Sequence, residues 1–459
     1  MPILRSISGL RATTNDGALT PELVARHVRA FAALQPEGVI AVGHDGRVGG
    51  DQIAELVCQE LCAVGRDVLD LGCVPTPTVQ LLVERTHAAG GIIVTASHNG
   101  AEWNGLKFLD ADGVFLLPDR ARRLWAYADV WAYADAGNSP KQTSYGRHYR
   151  HSDPIGEHLA ALGQVALVAA FRAGGGLEGA RVALDAVNAS GSRALVRLIE
   201  WLGGQPHAVF CDGSGIFPHP PEPLPEHVAT LRQETRSSGA AIGLAVDPDA
   251  DRLVLVHRSG EPVSEEKTVV LAIEAVLRAV RGGTVVVNAS TTAEVELVAN
   301  RYGGRVFRSP VGEINVVLLM RSCGAIIGGE GSGGVIYPAC HWGRDSLVGA
   351  SLVLSLWRSL SEAEWDERLL DCPFAMGKRR IAVNGDFPLL RDRLRAAFGD
   401  APVVWDGDGL RFAWRDRWVH IRPSNTEPIV RVIAESPSEA ETAELLSRAE
   451  QILRSGNDA

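Results

Sequence analysis

An α/β fold repeated over several domains is what the order of the apolar runs predicts, on three observations. Short strand-like runs alternate with helix-length amphipathic segments, and the same rhythm restarts twice further along. The chain's 459 residues also exceed the size at which a single core keeps growing. The first round reads GVIAVGHD, QIAELVCQELCAVG, DVLDLG, VQLLVERTHAAG and GGIIVTAS, strand and helix in turn. The second starts at ARVALDAVNASG with the helix SRALVRLIEWLGG, and the third at EKTVVLAIEAVLRAV followed by GTVVVNAS. From DCPFAMGKRRIAV onward the chain has more strand and fewer helices. The predicted plan is three similar α/β mixed-sheet domains and a smaller α+β C-terminal domain.

Turn-forming stretches place the boundaries. DAGNSPKQTSYGRHYRHSDP sets the first near residue 155, and the Gly174-Gly175-Gly176 run reads as a turn inside the second unit. Near residue 261 the strand RLVLVHRSG gives way to PVSEEKTVVLAIEAV. The expected domains are residues 1–155, 156–260, 261–372 and 373–459. The tandem WAYADVWAYAD is compatible with a helix and reads as a packing face.

Composition narrows the function classes. With 46% hydrophobic and 22% charged residues the chain is an ordinary globular one. A net charge of -10, with no block of like charges, argues against nucleic acid or an anionic membrane as partner. An anionic substrate must then be drawn in by a local site. The seven cysteines are scattered without paired metal spacing and read as reduced thiols, with Cys58 and Cys62 packed one helical turn apart. MPILRSISGLR has no apolar signal region, and no stretch approaches the roughly 18 apolar residues of a membrane span. The expectation is a cytoplasmic protein.

Three loops call for chemistry. VDPDADRL spaces Asp247, Asp249 and Asp251 at alternate positions, and Pro248 disfavours a helix that would scatter them. In an extended loop the carboxylates share one side. Three such anions repel unless a cation lies between them, and all-oxygen ligation suits Mg²⁺ or Ca²⁺ rather than zinc. A calcium EF-hand needs glycine and glutamate where this chain has Arg252 and Arg258, which favours magnesium; turn and capping aspartates are the structural alternative. GGIIVTASHNGAEWNGLKF is a buried strand opening into a loop with Ser97 and His98 at its tip and Lys107 beyond. Lys107 could move protons if burial or neighbouring charge lowered its pKa. VHIRPSNTEPIVRVIAE is strand, turn and strand; Arg422, Ser424, Asn425 and Thr426 form a natural phosphate cradle, and Arg431 follows on the second strand. A fourth loop, IIGGEGSGGVIYP, matches GxGxxG from Gly329 to Gly334. No helix follows it, so it reads as a glycine turn presenting Glu330 and Ser332 to sugar hydroxyls.

These four loops, in this order, resemble the α-D-phosphohexomutase family of phosphoglucomutases, phosphomannomutases and phosphoglucosamine mutases. TASHNGAEWNGLK answers its phosphoserine loop, DPDADR its metal loop, GEGSGG its sugar loop and RPSNTEP its phosphate loop. The resemblance implies four domains around a central cleft, the last able to move. It implies Ser97 as phosphoserine, also a ligand of a Mg²⁺ held by Asp247, Asp249 and Asp251. Lys107 falls at a general acid/base position, and Arg11, Arg252 and His98 at active-site positions. Glu330 and Ser332 would grip the sugar, and Arg422, Ser424, Asn425 and Thr426 the non-reacting phosphate. The implied reaction interconverts hexose 1- and 6-phosphates through a hexose 1,6-bisphosphate, which would also act as activator. The implied partner is a small phosphosugar, with the chain a monomer or homodimer.

Departures are Gly100, His44 and Ser8, none at a catalytic group, and Gly334 and Glu313, which bear on substrate choice. The combination ISGLR, FPHPPEPLPE, VGEINV, GGVIYP and RPSNTEP is most similar to the archaeal-type phosphoglucosamine mutase branch. Phosphomannomutase or phosphoglucomutase is the alternative. A sugar-phosphate-binding relative without turnover and a phosphoserine-dependent hydrolase are the readings from other classes.

Overall fold

The computed structural model describes residues 3–134, 144–382, 387–424 and 429–454. Four sheets follow one another along the chain. The first has seven strands in the spatial order Leu4–Ser6, Gly9–Thr13, Trp103–Leu109, Gly90–Val94, Ile40–His44, Val68–Cys73 and His148–Arg150. The second has four, ordered Leu253–His257, Ile242–Val246, Arg181–Asp185 and Gln205–Phe210. The third has four, ordered Gly304–Ser309, Gly283–Asn288, Ile327–Glu330 and Gly334–Ile336. The last is a fully antiparallel five-stranded sheet ordered Ala375–Ala382, Ile429–Ser436, Trp418–Pro423, Leu410–Ala413 and Val403–Trp405. Three mixed α/β units and an α+β unit are the predicted plan.

Local sequence explains the elements. Helix Pro21–Leu34 starts at Thr20, whose hydroxyl accepts from Leu23 N, and has proline at its first position. Its buried stripe is Leu23, Val24, Val28 and Phe31. Helix Glu362–Leu370 opens on a capping box between Ser361 and Glu364. Strands Gly90–Val94 and Ile242–Val246 are buried throughout, as continuous apolar runs in sheets covered on both faces require, and Ile327–Glu330 is buried too, ending in the charged Glu330. Trp125 of the tandem repeat packs against Phe108 and His27, while Tyr127 and Val130 stay exposed. Cys58 and Cys62 are buried in helix Gly50–Ala63.

One hydrophobic cluster runs from Ala41 to Leu369 and takes residues from all three of the first sheets and their helices. The last sheet has its own cluster, from Ile381 to Leu453. Among the described residues no single helix is long and apolar enough to cross a membrane; the one pair that passes together, Pro154–Leu162 with Ala166–Ala173, is bent by 88°.

Each sheet closes an antiparallel pair around one of the loops singled out in the sequence. Val94 lies opposite Leu106, Val246 opposite Leu253, Glu330 opposite Gly334, and Pro423 opposite Val430. The first three loops therefore hold the same topological place, each following a strand whose other neighbour is parallel, while the fourth joins two strands of an antiparallel sheet.

Candidate functional site

Ser97 sits at the tip of the first loop, 2% exposed, with a left-handed backbone at φ 53. That conformation is costly for a side-chain-bearing residue and persists only where surroundings impose it. Here Ser97 N donates to Thr95 Oγ1 at 2.8 Å, and Arg47 Nη2 donates to the Ser97 carbonyl at 2.6 Å. Arg47 is itself fixed by Asp45 at 2.8 Å and donates to Trp103 O at 2.5 Å. Ser97 Oγ lies 3.3 Å from His98 Nδ1. Burial, then the charges of Arg252 and Arg11, push the His98 pKa well down, so the ring is neutral and able to accept from a hydroxyl. Arg11 Nη1 donates to Asn99 Oδ1 at 2.6 Å.

The aspartate loop is a tight turn, where an extended loop was expected. Its flanking strands are antiparallel, so the chain reverses within six residues, with Ala250 at φ 51 and Ala250 N donating to Asp247 O at 2.9 Å. The three carboxylates converge nonetheless: each is fully buried, and their ligand atoms lie within 4.8 Å of one another. Asp247 Oδ2, Asp249 Oδ1 and Asp251 Oδ1 are buried without a hydrogen-bond partner among the described residues. Three orphaned anionic oxygens, one per aspartate, are a donor set that fits a hard divalent cation. Burial and the charges of Asp251 and Asp249 push the Asp247 pKa well up, the repulsion a cation would relieve. The turn is tied to its neighbours, with Thr76 N and Oγ1 donating to Asp249 O and Oδ2, and Ser346 Oγ donating to Ala250 O.

Lys107 joins the serine-loop sheet to this turn. Its Nζ donates to Asp249 Oδ2 at 2.6 Å and Asp251 Oδ2 at 3.3 Å. The sequence left open a lowered pKa; against burial, the two aspartates instead hold it above the ordinary lysine value. Arg252 Nη1 pairs with Glu222 at 3.0 Å.

Glu330, buried, accepts at Oε1 from Asn288 Nδ2 (2.8 Å) and Gly312 N (2.9 Å) and at Oε2 from Arg344 Nη1 (2.7 Å). In the last sheet Arg422 faces Arg431 directly across the ladder, and Arg431 faces Arg380 on its other side. Like charges placed opposite one another destabilise a sheet unless an anion lies over them. Asn425 and Thr426 lie outside the described residues.

The serine, sugar and phosphate loops open on one cleft of about 1370 Å³, which the aspartate turn reaches through Arg252; Asp247, Asp249 and Asp251 lie buried behind Lys107 and, like Ser424, do not line it. Ser97, His98, Lys107, Arg11, Arg252, Glu330, Ser332, Arg422 and Arg431 all line it. Sequence reasoning missed Arg47, Asn288, Arg344 and Arg380. Arg47 was visible inside VGHDGR, whereas Arg344 and Asn288 carry no local signal.

Family models describe the whole plan: the α/β/α domains I, II and III of phosphoglucomutase/phosphomannomutase match residues 3–132, 157–260 and 264–369, and the C-terminal domain matches 379–452. A relative from Methanopyrus kandleri, named "Probable phosphoglucosamine mutase", is 31% identical, with 97% of each chain covered. One from Thermococcus kodakarensis, named "Phosphoglucomutase/phosphomannomutase", is 30% identical over 95% of each. The fold is similar to that of a phosphoglucomutase/phosphomannomutase family protein of Burkholderia thailandensis, with a TM-score of 0.81 and 24% identity, covering 99% of this chain and 98% of that one. With all four domains matched in order and relatives aligned over nearly the full length, the chain belongs to the α-D-phosphohexomutase family and is an enzyme of it, a phosphohexomutase.

Proposed function

We propose that this phosphohexomutase moves a phosphoryl group between Ser97 and carbons 1 and 6 of a hexose phosphate, with glucosamine phosphate its preferred substrate. The observation that carries the reading is the shared cleft: a buried serine, a buried lysine bonded to the aspartate turn and a three-arginine row face one cavity. Phosphoryl transfer demands alignment and charge neutralisation above all, and this cavity supplies both.

Asp247, Asp249 and Asp251 would hold Mg²⁺, with an oxygen of Ser97 or its phosphate as a further ligand. When bound there, the ion withdraws charge from the phosphoryl oxygens in transit. Lys107 relays the proton between the reacting sugar hydroxyl and Ser97 Oγ, while neutral His98 orients that oxygen. Arg11 and Arg252 add positive charge beside Ser97. Arg422, Arg431 and Ser424, with Asn425 and Thr426, hold the phosphate that is not reacting. Glu330 and Ser332 orient the sugar hydroxyls. A hexose 1,6-bisphosphate formed by the first transfer turns over in the cleft and returns its other phosphate to Ser97; the same compound, supplied from solution, primes the enzyme.

The glucosamine preference is supported by the printed name of the Methanopyrus kandleri relative and by the loop combination. Glucose or mannose phosphate is the second reading. It is favoured by the internal bonding of Glu330, whose charge is already met by Arg344, leaving accepting capacity better suited to a hydroxyl than to an ammonium group. Intact-mass analysis should find phosphate on Ser97, and Ser97→Ala should abolish mutase turnover; normal turnover in that variant sinks the reading. A kcat/KM panel on the three hexose phosphates decides the sugar, and a tenfold or greater lead for glucose or mannose phosphate overturns the glucosamine assignment.

A further inference from the structure

Arg344 stands between the two loops that the proposed reaction needs in register. Its guanidinium spends one nitrogen on each of three carboxylates from three separate segments. Nη2 donates to Asp251 Oδ2 at 2.5 Å, Nη1 to Glu330 Oε2 at 2.7 Å, and Nε to Glu313 Oε2 at 3.0 Å. Asp251 belongs to the aspartate turn, Glu330 ends a strand of the third sheet, and Glu313 opens helix Glu313–Cys323. Glu313 passes the connection on, since its Oε1 accepts from Gln80 Nε2 of the first unit at 2.9 Å. A planar fork with divergent donors can serve three carboxylates at once; an ammonium group cannot do so in fixed directions.

The backbone under Arg344 is pinned on both sides. Arg344 bridges to Ile336, and the next residue, Asp345, caps helix Ser346–Arg358 with Oδ1. Its Oδ2 lies 2.8 Å from His158 Nε2 and 2.9 Å from His341 Nε2. The side chain reaches the carboxylates by passing over Gly334. A Cβ built on Gly334 would come within 2.4 Å of Arg344 Cδ, 3.1 Å of Cγ and 3.3 Å of Nε, and the three nearest atoms all belong to Arg344. No positive φ requires glycine there. The glycine is an opening for the arginine.

We propose that Arg344, admitted by Gly334, is a positioning residue that couples the metal turn to the sugar loop. Together with the longer contact from Lys107, it occupies Asp251 Oδ2 and leaves Oδ1, a buried oxygen without a hydrogen-bond partner among the described residues, as the one available to a cation. By taking Glu330 Oε2 it sets the orientation in which that carboxylate meets the sugar. The two sites are thus adjusted by one side chain. The proposal rests on the roles given above to the aspartates and Glu330.

The test compares Mg²⁺ affinity, read by isothermal titration calorimetry, with the KM for glucose 1-phosphate. Arg344→Met removes the shared donor of three buried carboxylates and can unfold the protein, so the main variant is Gly334→Ala, which keeps every charge and displaces the arginine. Gly334→Ala is expected to weaken Mg²⁺ binding about tenfold or more and to raise KM together, while the thermal midpoint stays near that of the unaltered protein. Glu330→Gln is expected to raise KM alone. If Gly334→Ala binds Mg²⁺ with unaltered affinity, or loses only thermal stability, the coupling role is overturned. Asp251→Asn separates the two levels: unaltered Mg²⁺ affinity in that variant refutes the metal-turn reading itself, whereas weakened binding there beside normal binding in Gly334→Ala refutes only the role of Arg344.

Discussion

Replacing Arg47 with methionine should loosen the Ser97 loop far more than a surface arginine could. The side chains of Arg47 and Asp45 are 1% and 0% exposed, and the guanidinium also holds the carbonyls of Ser97 and Trp103. Methionine fills much of the volume but leaves Asp45 a buried anion with Thr95 Oγ1 and the backbone N–H of residue 47 for company. Breaking a buried pair from one side costs roughly 3–5 kcal/mol. Arg47→Lys restores the charge but not the fork, so about half that loss is expected. The assay is native-state hydrogen exchange of residues 95–105, with turnover measured alongside. A loss of ~4 kcal/mol corresponds to a roughly thousandfold larger open population of that loop, read as faster exchange. Adding Asp45→Asn to Arg47→Met should recover part of the loss, because no charge is then left unpaired. Exchange within threefold of the unaltered protein, or a double variant worse than the sum of its parts, would refute this account of the left-handed Ser97.

Three further outcomes follow from the site. Chelation should stop turnover and Mg²⁺ restore it, and added Mg²⁺ should raise the thermal midpoint; Asp249→Asn should abolish both responses, and a midpoint insensitive to Mg²⁺ in the unaltered protein would count against the cation. Arg422→Ala should raise KM for a phosphosugar by about tenfold or more with a smaller fall in kcat, and an unchanged KM places the phosphate elsewhere. Burial, opposed by Lys378, pushes Glu266 from 4.5 up to about 7, so its contribution to stability is full below pH 4.5 and is lost as pH rises through about 7. Stability relative to Glu266→Gln should therefore fall by up to ~3 kcal/mol between about pH 5 and 8, and parallel melting curves would disprove it.

The four loops were legible because each packs its chemistry into one short run at the end of a strand, where apolar periodicity stops and polar residues begin. Ser97, the three aspartates and Arg422 could be found that way. Arg344 could not, because its partner Asp251 is 93 residues away, and the Gln80–Glu313 contact spans 233. Gly334 read as a departure from a pattern; the reason for it lies in a side chain ten positions later that only folding brings over it. The aspartate spacing suggested an extended loop because the sequence does not show that Val246 and Leu253 are direct ladder partners, which forces a reversal. Lys107 was readable as titratable, but the direction of its shift depends on Asp249 and Asp251, which belong to another sheet.

The continuous apolar cluster from Ala41 to Leu369 has a consequence for how the molecule comes apart. Three repeats that look like three modules share this cluster, although the first also has an interior of its own from Leu10 to Ala128, so none can lose its packing against the shared cluster without exposing its neighbours' apolar surface to water. In a calorimeter they should absorb heat as one endotherm. The arginine row rides on a sheet with a separate interior, from Ile381 to Leu453, bound to the third unit by polar contacts such as Lys378 with Glu265, Ser290 with His420 and Ala293 N with Glu435. A second endotherm should belong to that sheet. Heat would then strip the enzyme of its hold on the distant phosphate while the groups around Ser97 were still assembled.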